Sequence, residues 1–315
     1  MLITVTPSPA IDWTIGVPEF SFGLVHRAAH ELREPSGKGV NVSAALQRAG
    51  IPTHAILAAA GDGTEFMARE LSALGVPYSF TPGGPVRTNV TLLVDGQPDT
   101  KVNTSSQALG AAERAGLADR VRALAAQGAD ALLTAGSLPP GTDATLHAEL
   151  VALGRELGLF TAVDSSGPAL VAALAAAPDL VKPNAHELAE IVGRELGTLG
   201  EVRDAARALR ERHGVGCVLV SLGADGALLV DGAGELWAGA RPDRVVNAVG
   251  AGDATLAGFL AARSDRRNAV RTAVRWGASA VAHPTTLFNV LPAAELDEWC
   301  TDTIDWDRPL TPDSE

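Results

Sequence analysis

The sequence predicts an α/β fold in which a mostly parallel sheet carries helices on both faces. Short β-rich runs alternate with Ala-, Leu-, Arg- and Glu-rich stretches of helical spacing, a pattern typical of βα units. The run Cys217–Ser221 is apolar on both faces, as expected of a central parallel strand. Two regions, 12–18 and 86–104, are extended and have no helix of their own, and we expect them to form a small projecting sheet.

The elements can be placed in order along the chain. The predicted strands are the β-rich runs at 2–5, 131–134, 160–164, 180–182 and 217–221. The predicted helices have apolar residues at helical spacing and cover 111–127, 144–157 and 201–213. In the small sheet, Asp95-Gly96 and Gln97-Pro98 are turn signals between strands. Residues 301–315 are acidic and contain proline, and we expect them to trail over the surface.

Composition excludes several classes of protein. With 46% hydrophobic and 20% charged residues among 315, the chain can bury a large core and is not disordered. Two cysteines are too few for a disulfide-rich secreted scaffold. A formal charge of −12 without a basic run argues against nucleic-acid binding. No apolar run approaches the ~20 residues of a membrane span, and no signal peptide is recognisable, so we expect a cytoplasmic protein.

The strongest chemical signal is the segment 247–253, Asn-Ala-Val-Gly-Ala-Gly-Asp, which an apolar helix follows. The small residues Gly250, Ala251 and Gly252 let a ligand approach the backbone, and a helix N-terminus attracts anions. An aspartate competes with an anion there, so Asp253 makes better sense as a base that takes a proton from a hydroxyl group. A helix-capping Asp253 is the alternative that this pattern leaves open.

Several motifs together resemble the PfkB/ribokinase family of carbohydrate kinases. Residues 247–260 resemble its C-terminal signature, although Ala248 replaces the usual threonine or other small hydroxylic residue or proline. Residues 36–42, Ser-Gly-Lys-Gly-Val-Asn-Val, resemble its N-terminal signature. The other motifs follow in family order at 136–141, 164–167, 181–184 with Glu187, and 221–226.

The resemblance covers roughly residues 1–285 and carries implications for the fold. It implies a single ribokinase-like kinase domain over 1–315, with three layers around the sheet. It also implies that about 12–18 and 86–104 form a β-sheet lid. A homodimer formed through this lid is a further expectation from the family.

The resemblance also implies a sugar site. Asp12 would accept hydrogen bonds from sugar hydroxyls, and Asn41 can both donate and accept. Lys38 lies between Gly37 and Gly39 in the sugar-binding loop, which is not a Walker A loop because Lys38 is followed by glycine rather than serine or threonine.

Lys38, Arg87 and Ser137 together point to the phosphosugar branch of the family. Arg87 can bind a phosphate bidentately, which an unphosphorylated sugar does not need. Ser137, in Gly-Ser-Leu-Pro, belongs to the same pattern. Arg27 is a second candidate for the phosphate, with an ordinary surface charge as its alternative. The segment 103–106, Asn-Thr-Ser-Ser, is less acidic than that branch predicts.

Nucleotide and metal sites are likewise implied. Lys182 would neutralise nucleotide phosphates, and Asn184 and Glu187 form an Asn-x-x-Glu motif associated with Mg²⁺, which prefers oxygen ligands. The turn residues Ser221, Gly223 and Gly226 would contact ATP, although a tight turn alone also explains the two glycines.

The implied activity is ATP-dependent phosphorylation of a ketohexose phosphate. Fructose 1-phosphate is the first choice of substrate, and tagatose 6-phosphate and fructose 6-phosphate are alternatives. A nucleotide-dependent oxidoreductase is disfavoured because Pro7-Ser-Pro9, not a Gly-x-Gly-x-x-Gly turn, follows the first strand. A non-catalytic sugar-phosphate sensor is disfavoured because Asp253 and the motif at 184–187 are intact.

Overall fold

Two sheets lie within residues 1–311, the part of the chain that this computed structural model describes. The strands of the large sheet are β1 (Leu2–Thr6), β4 (Thr53–Ala58), β5 (Tyr78–Thr81), β8 (Ala131–Ala135), β9 (Phe160–Asp164), β10 (Leu180–Val181), β11 (Cys217–Ser221), β12 (Ala227–Asp231), β13 (Gly234–Pro242) and β14 (Leu296–Thr301). Those of the small sheet are β2 (Ala10–Val17), β3 (His30–Ser36), β6 (Arg87–Val94) and β7 (Thr100–Asn103).

The large sheet is mostly parallel, as the sequence predicts. Its order is β14-β13-β12-β11-β10-β9-β8-β1-β4-β5, and the strands from β11 to β5 pair in parallel. Every residue of β1 and β8 is buried, because helices cover both faces. The five predicted strands agree with the structure to within one residue at each end.

Helices form the two outer layers, which confirms the predicted α/β architecture. They are α1 (Lys38–Arg48), α2 (Thr64–Ala73), α3 (Ala111–Ala125), α4 (Leu146–Glu156), α5 (Gly167–Leu174), α6 (Ala185–Val192), α7 (Leu199–His213), α8 (Ala251–Ala261) and α9 (Arg266–Val281). One face is covered by α1, α2, α8 and α9, and the other by α3 to α7. None of the helices in the described range has the length and apolar character to cross a membrane.

The small sheet has the order β3-β2-β6-β7 and contains both regions that the sequence assigns to it. Parallel pairing joins β2 to β6, and β3 and β7 are antiparallel edge strands. The sequence analysis missed β3. Its first half, His-Glu-Leu-Arg, is exposed and mostly charged, so it lacks the alternation that identifies a half-buried strand.

The prediction that residues 301–315 trail over the surface is wrong for 301–311, and the remaining four lie outside the described residues. Residue 301 ends β14, which pairs with β13 along the sheet edge. Beyond it, Ile304, Trp306 and Leu310 pack against the core beneath α7. These apolar residues, spaced among acidic ones, hold the segment against the core. Its acidic composition alone predicts that the segment is exposed to solvent.

The buried His147 on α4 makes stability depend on pH. Its Nε2 lies 3.0 Å from the carbonyl oxygen of Gly136 and its Nδ1 lies 2.7 Å from the hydroxyl of Thr134. Burial lowers the pKa of His147 from 6.5 to about 4. Between these values the unfolded chain binds the additional proton, so this residue should lower the free energy of unfolding by roughly 3 kcal/mol as pH falls from about 6.5 to about 4.

Urea unfolding across this pH range measures the effect. His147→Gln should flatten the pH dependence, whereas the exposed control His186→Gln should not change it. A wild-type slope in His147→Gln would contradict the assignment.

Candidate active site

The candidate active site lies where the parallel strands of the large sheet end. Asp164 is the last residue of β9 and Lys182 directly follows β10. Because parallel strands end at one edge, where open α/β sheets bind ligands, these side chains meet there. Helix α1 begins at this edge with Lys38, and the first turn of α8 brings Asp253 to it.

Asp253 is a buried carboxylate held by one side chain from another helix. Its Oδ2 accepts a 2.7 Å hydrogen bond from Nδ2 of Asn41 on α1. Burial and the negative charge of Asp164 raise the pKa of Asp253 to about 6, although Lys38 and Asn41 act in the opposite direction. The residue that caps α8 is Gly250, and no side chain makes a capping bond there. The geometry therefore disfavours the capping alternative.

A buried aspartate and two lysines form an ionic network beside Asp253. Oδ1 of Asp164 lies 2.7 Å from Nζ of Lys38, and its Oδ2 lies 3.4 Å from Nζ of Lys182. Burial opposes ionisation of Asp164, but the two ammonium groups outweigh it and lower the pKa of that carboxyl. The sequence analysis gave Asp164 no role. A carboxylate that ends a fully buried strand was the signal that could have identified it.

The turn before α8 presents donors to an anion. Gly250 has φ of 79°, in the left-handed region that favours glycine. The first intrahelical bond runs from the N–H of Ala254 to the carbonyl of Gly250, so the N–H groups of Gly252 and Asp253 precede it. A Cβ on Gly252 would lie 3.5 Å from Nζ of Lys182. A helix N-terminus and an ammonium group thus stand together, an arrangement suited to a phosphate.

The small sheet contributes a polar face opposite this turn. Oδ1 of Asp12 accepts a 2.8 Å hydrogen bond from Nδ2 of Asn89, and its Oδ2 accepts one of 2.8 Å from Oγ of Ser36. Arg87 precedes Asn89 by two residues on β6 and so shares its face. The Arg87 side chain is half-buried, and burial lowers its pKa while Asp12 acts to raise it.

Three polar residues on this face were not among the predicted site residues, although Ser36 is part of the 36–42 signature. Ser36 and Asn89 hold Asp12, and Glu34 lies directly opposite Asp12 in the pairing of β2 with β3. Burial and the charge of Asp12 raise the pKa of Glu34 to about 7. Strand pairing brings these residues together, and no local motif indicated it.

Unpaired buried polar atoms cluster around the site. Among residues 1–311, six buried side-chain nitrogen or oxygen atoms have no hydrogen-bond partner. Three of them belong to residues around this cleft: Thr6 Oγ1, Arg87 Nε and Asn89 Oδ1. A fourth, Asp164 Oδ2, faces Nζ of Lys182 at 3.4 Å, so its charge is compensated. Buried polar groups are normally satisfied, so the concentration of exceptions here indicates a polar ligand.

The glycines that flank Lys38 have a packing reason. Gly37 has φ of 122°, and a Cβ there would come within 2.7 Å of Cγ2 of Thr6. A Cβ on Gly39 would come within 2.5 Å of Oγ1 of Thr6. The loop therefore lies tightly on the end of β1, which directs Lys38 toward Asp164.

Two predicted phosphate residues lie apart from these contacts. Ser137 is exposed just after β8, next to Gly136, whose carbonyl oxygen accepts hydrogen bonds from Ser165 and His147. Arg27 is exposed in the loop between β2 and β3. That loop joins the ends of β2 and β3 that lie farthest from the Asp12–Glu34 pair. The structure therefore does not bring Arg27 to the cleft.

The predicted nucleotide residues lie along the neighbouring strand ends. Ser221 ends β11, and a single 3₁₀ turn, Gly223–Asp225, follows. A Cβ on Gly226 would lie 2.0 Å from the carbonyl oxygen of Ala238. Close packing against β13 is thus enough to require glycine at position 226.

Asn184 and Glu187 cap α6 reciprocally. Oδ1 of Asn184 accepts a 2.7 Å hydrogen bond from the N–H of Glu187, and Oε2 of Glu187 accepts one of 2.9 Å from the N–H of Asn184. The Asn-x-x-Glu spacing therefore has a structural role of its own. The charge of Glu187 also acts to raise the pKa of Lys38.

Comparison with known proteins agrees with this geometry. The profile of the pfkB family carbohydrate kinases matches residues 4–293. The chain is 41% identical to 1-phosphofructokinase of Rhodobacter capsulatus over 262 residues, which is 82% of either chain. It is 39% identical to 1-phosphofructokinase of Xanthomonas campestris over 272 residues, or 84% of either chain.

A solved structure shares the fold as well. Phosphofructokinase-2 from Escherichia coli in complex with fructose-6-phosphate superimposes with a TM-score of 0.80 at 29% sequence identity. The similarity covers 89% of this chain and 93% of that one. Profile, sequence relatives and architecture all agree. The protein belongs to the pfkB family of carbohydrate kinases.

Proposed function

We propose that this kinase transfers the γ-phosphoryl group of ATP to O6 of fructose 1-phosphate, giving fructose 1,6-bisphosphate and ADP. The observation that carries the proposal is the half-buried Arg87 beside Asp12. Asp12 is the proposed acceptor for sugar hydroxyls, and Arg87 offers a partly desolvated cation whose Nε has no hydrogen-bond partner. A phosphorylated sugar would bring hydroxyl groups to Asp12 and a phosphate to Arg87. The name shared by the R. capsulatus and X. campestris relatives supports fructose 1-phosphate.

In the proposed mechanism Asp253 is the general base. Its Oδ2 is held by Asn41, which leaves Oδ1 to receive the proton of the O6 hydroxyl. The new O6–Pγ bond forms as the bond from Pγ to the bridging oxygen of ADP breaks. The proton stays on Asp253 until solvent removes it. Phosphoryl transfer depends mostly on positioning and charge stabilisation, which this site provides.

Cations and backbone donors stabilise the transferring group. Within and after the Gly250–Ala251–Gly252 turn, the N–H groups of Gly252 and Asp253 lie beside its proposed position together with Nζ of Lys182. The N–H group of Ala251 is used by the carbonyl of Ala248. Lys38, fixed by Asp164, adds a second ammonium group between the sugar and the nucleotide. Asp12 and Asn41 orient the sugar, and Arg87 holds its 1-phosphate. Ser137, exposed after β8 of the large sheet, is a second proposed contact that reaches the phosphate only when the sugar lies between the two sheets. Arg27 has no role in this arrangement.

The oxygen donors at this site suit a Mg²⁺ ion that also binds phosphate oxygens of ATP. In the described residues no cluster of three or more His, Cys, Asp or Glu side chains could hold a metal alone. Glu187 uses one carboxylate oxygen in its cap and has the other free to bind Mg²⁺ directly or through water. Asn184 holds Glu187 in place. When bound, Mg²⁺ would neutralise charge on the ATP phosphates.

The small sheet acts as a lid and as a dimer surface in this proposal. The loop after β2 exposes Phe22 at 94%, Leu24 at 69% and Val25 at 90%, and Val102 on β7 is 60% exposed. A patch of exposed apolar side chains on a kinase domain indicates a partner surface. A second copy of this chain is the partner that we propose. Sedimentation at increasing ionic strength should detect the dimer, and Phe22→Asp should dissociate it.

The test of the substrate is ADP release with Mg-ATP and four sugars offered separately. These are fructose 1-phosphate, fructose 6-phosphate, tagatose 6-phosphate and fructose. Preference for fructose 1-phosphate would support the proposal. Preference for either 6-phosphate would keep the mechanism and reverse the orientation of the sugar. Activity on fructose alone would overturn the role of Arg87.

Asp253→Asn removes the proposed base. We expect kcat to fall by about 10²–10⁴-fold while fructose 1-phosphate still binds. Asp265→Asn is the matched control, because Asp265 caps the neighbouring α9 and touches no site residue described above. Steady-state kinetics measures the loss of turnover, and calorimetry measures whether fructose 1-phosphate still binds. Turnover near the wild-type rate in Asp253→Asn would remove it from the mechanism.

Arg87→Ala removes the proposed phosphate contact. Hydrogen bonds to charged groups contribute about 1.5–3 kcal/mol, so the KM for fructose 1-phosphate should rise roughly 10–100-fold while the KM for ATP stays nearly constant. Arg33→Ala is the control on β3 of the same sheet, where Arg33 stacks on Trp13. Equal changes in both KM values would show that the phosphate lies elsewhere.

The acid limb of the pH profile reports on Asp253. The raised pKa predicts that kcat falls as pH drops through about 6, because the base becomes protonated. Asn41→Ala removes a hydrogen bond to the charged form and should move this limb to higher pH by about 1 unit. The exposed Asn268→Ala is the control. An unmoved limb in Asn41→Ala would assign it to another group.

A further inference from the structure

A buried aspartate lies inside the turn that we propose contacts ATP. Asp225 is the last residue of the 3₁₀ turn after β11, and its side chain is 1% exposed. The backbone carbonyl of Asp225 accepts a 2.8 Å hydrogen bond from Nε1 of Trp237 on β13. Its carboxylate, however, receives no such support from the strands on either side of the turn.

The partners of this carboxylate come mainly from the end of the described chain. Oδ1 lies 3.2 Å from Nη2 of Arg308 and 3.1 Å from Oγ1 of Thr311. Oδ2 accepts a 2.6 Å hydrogen bond from the backbone N–H of Thr311. Arg241 on β13 is more distant, at 4.0 Å from Oδ1. Residues 304–311, the C-terminal strap, therefore satisfy most of the charge on Asp225.

Helix α7 holds the C-terminal strap in register. The first N–H groups of α7, which have no intrahelical partner, bond to the strap: Leu199 donates to the carbonyl of Arg308 at 3.0 Å, and Gly200 donates to that of Trp306 at 2.8 Å. Leu310 donates in return to the carbonyl of Gly197 at 2.9 Å. Arg308 also stacks on Trp237, at 5.2 Å from the ring centre. The strap thus has one defined position over the turn.

Removing these partners would leave a buried carboxylate uncompensated, which is strongly unfavourable. The turn would have to move to expose Asp225, and with it Gly223 and Gly226. The strap lies beyond the family match, which ends at residue 293. No motif of the shared kinase core therefore predicts this contact.

We infer that the C-terminal strap fixes the nucleotide turn, with Arg308 and Thr311 acting as positioning residues that set the affinity for ATP. The inference rests on the proposed function, because that function assigns the turn to ATP. The strap contacts neither the cleft around Asp253 nor the small sheet. Its effect should therefore fall on ATP and leave the sugar unaffected.

The test compares KM values and direct ATP binding in Arg308→Gln, which removes the cation while keeping a hydrogen-bond donor. We expect the KM for ATP, and the Kd for ATP by calorimetry, to rise about 10-fold, with the KM for fructose 1-phosphate changing less than 2-fold. Arg308→Lys should recover part of the affinity. Arg267→Ala is the matched control, because Arg267 contacts the carbonyl of Cys300 on the same C-terminal segment but not Asp225.

A double-variant cycle separates positioning from general stability. Asp225→Asn should also weaken ATP binding, and adding Arg308→Gln to it should have little further effect, because the partner charge is gone. Wild-type ATP affinity in Arg308→Gln, or an equal rise in both KM values, would overturn the inference. If the wild type phosphorylates none of the sugars, the proposed substrate fails, and the calorimetric ATP affinities still decide the role of the strap.

Discussion

The buried carboxylate of Asp164 and its two lysines form the interaction on which the active site depends. Asp164 is fully buried at the end of a central strand, so its charge requires close cations. Lys38, from the start of α1, and Lys182, after β10, supply them. The same network keeps two ammonium groups beside the α8 turn. The negative charge of Asp164 contributes to the raised pKa of Asp253. The buried ion pairs that stabilise this part of the fold therefore also influence the proposed base.

The two sheets divide the work of binding. The large sheet provides the edge where the charged residues meet. In the proposed function, the small sheet provides the hydroxyl and phosphate contacts through Asp12 and Arg87. Asp12 is fixed by Ser36 and Asn89 on flanking strands. A site assembled from two sheets can separate when the small sheet moves, which suits a lid that admits a sugar and then excludes water.

Several motif residues have structural as well as chemical reasons for their identity. Gly37 and Gly39 must pack on Thr6, and Gly226 must pack on β13. Asn184 and Glu187 cap a helix, and this cap uses one carboxylate oxygen of Glu187. At the turn that we propose contacts ATP, the C-terminal strap, which lies beyond the family match, holds the turn through Asp225. Local geometry and ligand binding therefore constrain the same positions, and single substitutions there should affect both.

The sequence by itself determined the α/β class and the central strands, because buried parallel strands are continuously apolar. It also indicated Asp253 as the candidate base, because the glycine-rich segment before it is local in the chain, whereas the sugar loop at 36–42 was implied by family resemblance. The pairing of Asp164 with two lysines, the support of Asp12 by β3 and β6, and the seating of residues 304–311 on Asp225 were decided only by the tertiary structure. Each joins positions far apart in the chain: Lys38 and Asp164 are separated by 126 residues, and Asp225 and Thr311 by 86. Local composition carries no information about such a distance. It therefore did not indicate the edge strand β3 and assigned the acidic C-terminal segment to the surface, because the partners that hold them lie elsewhere in the fold.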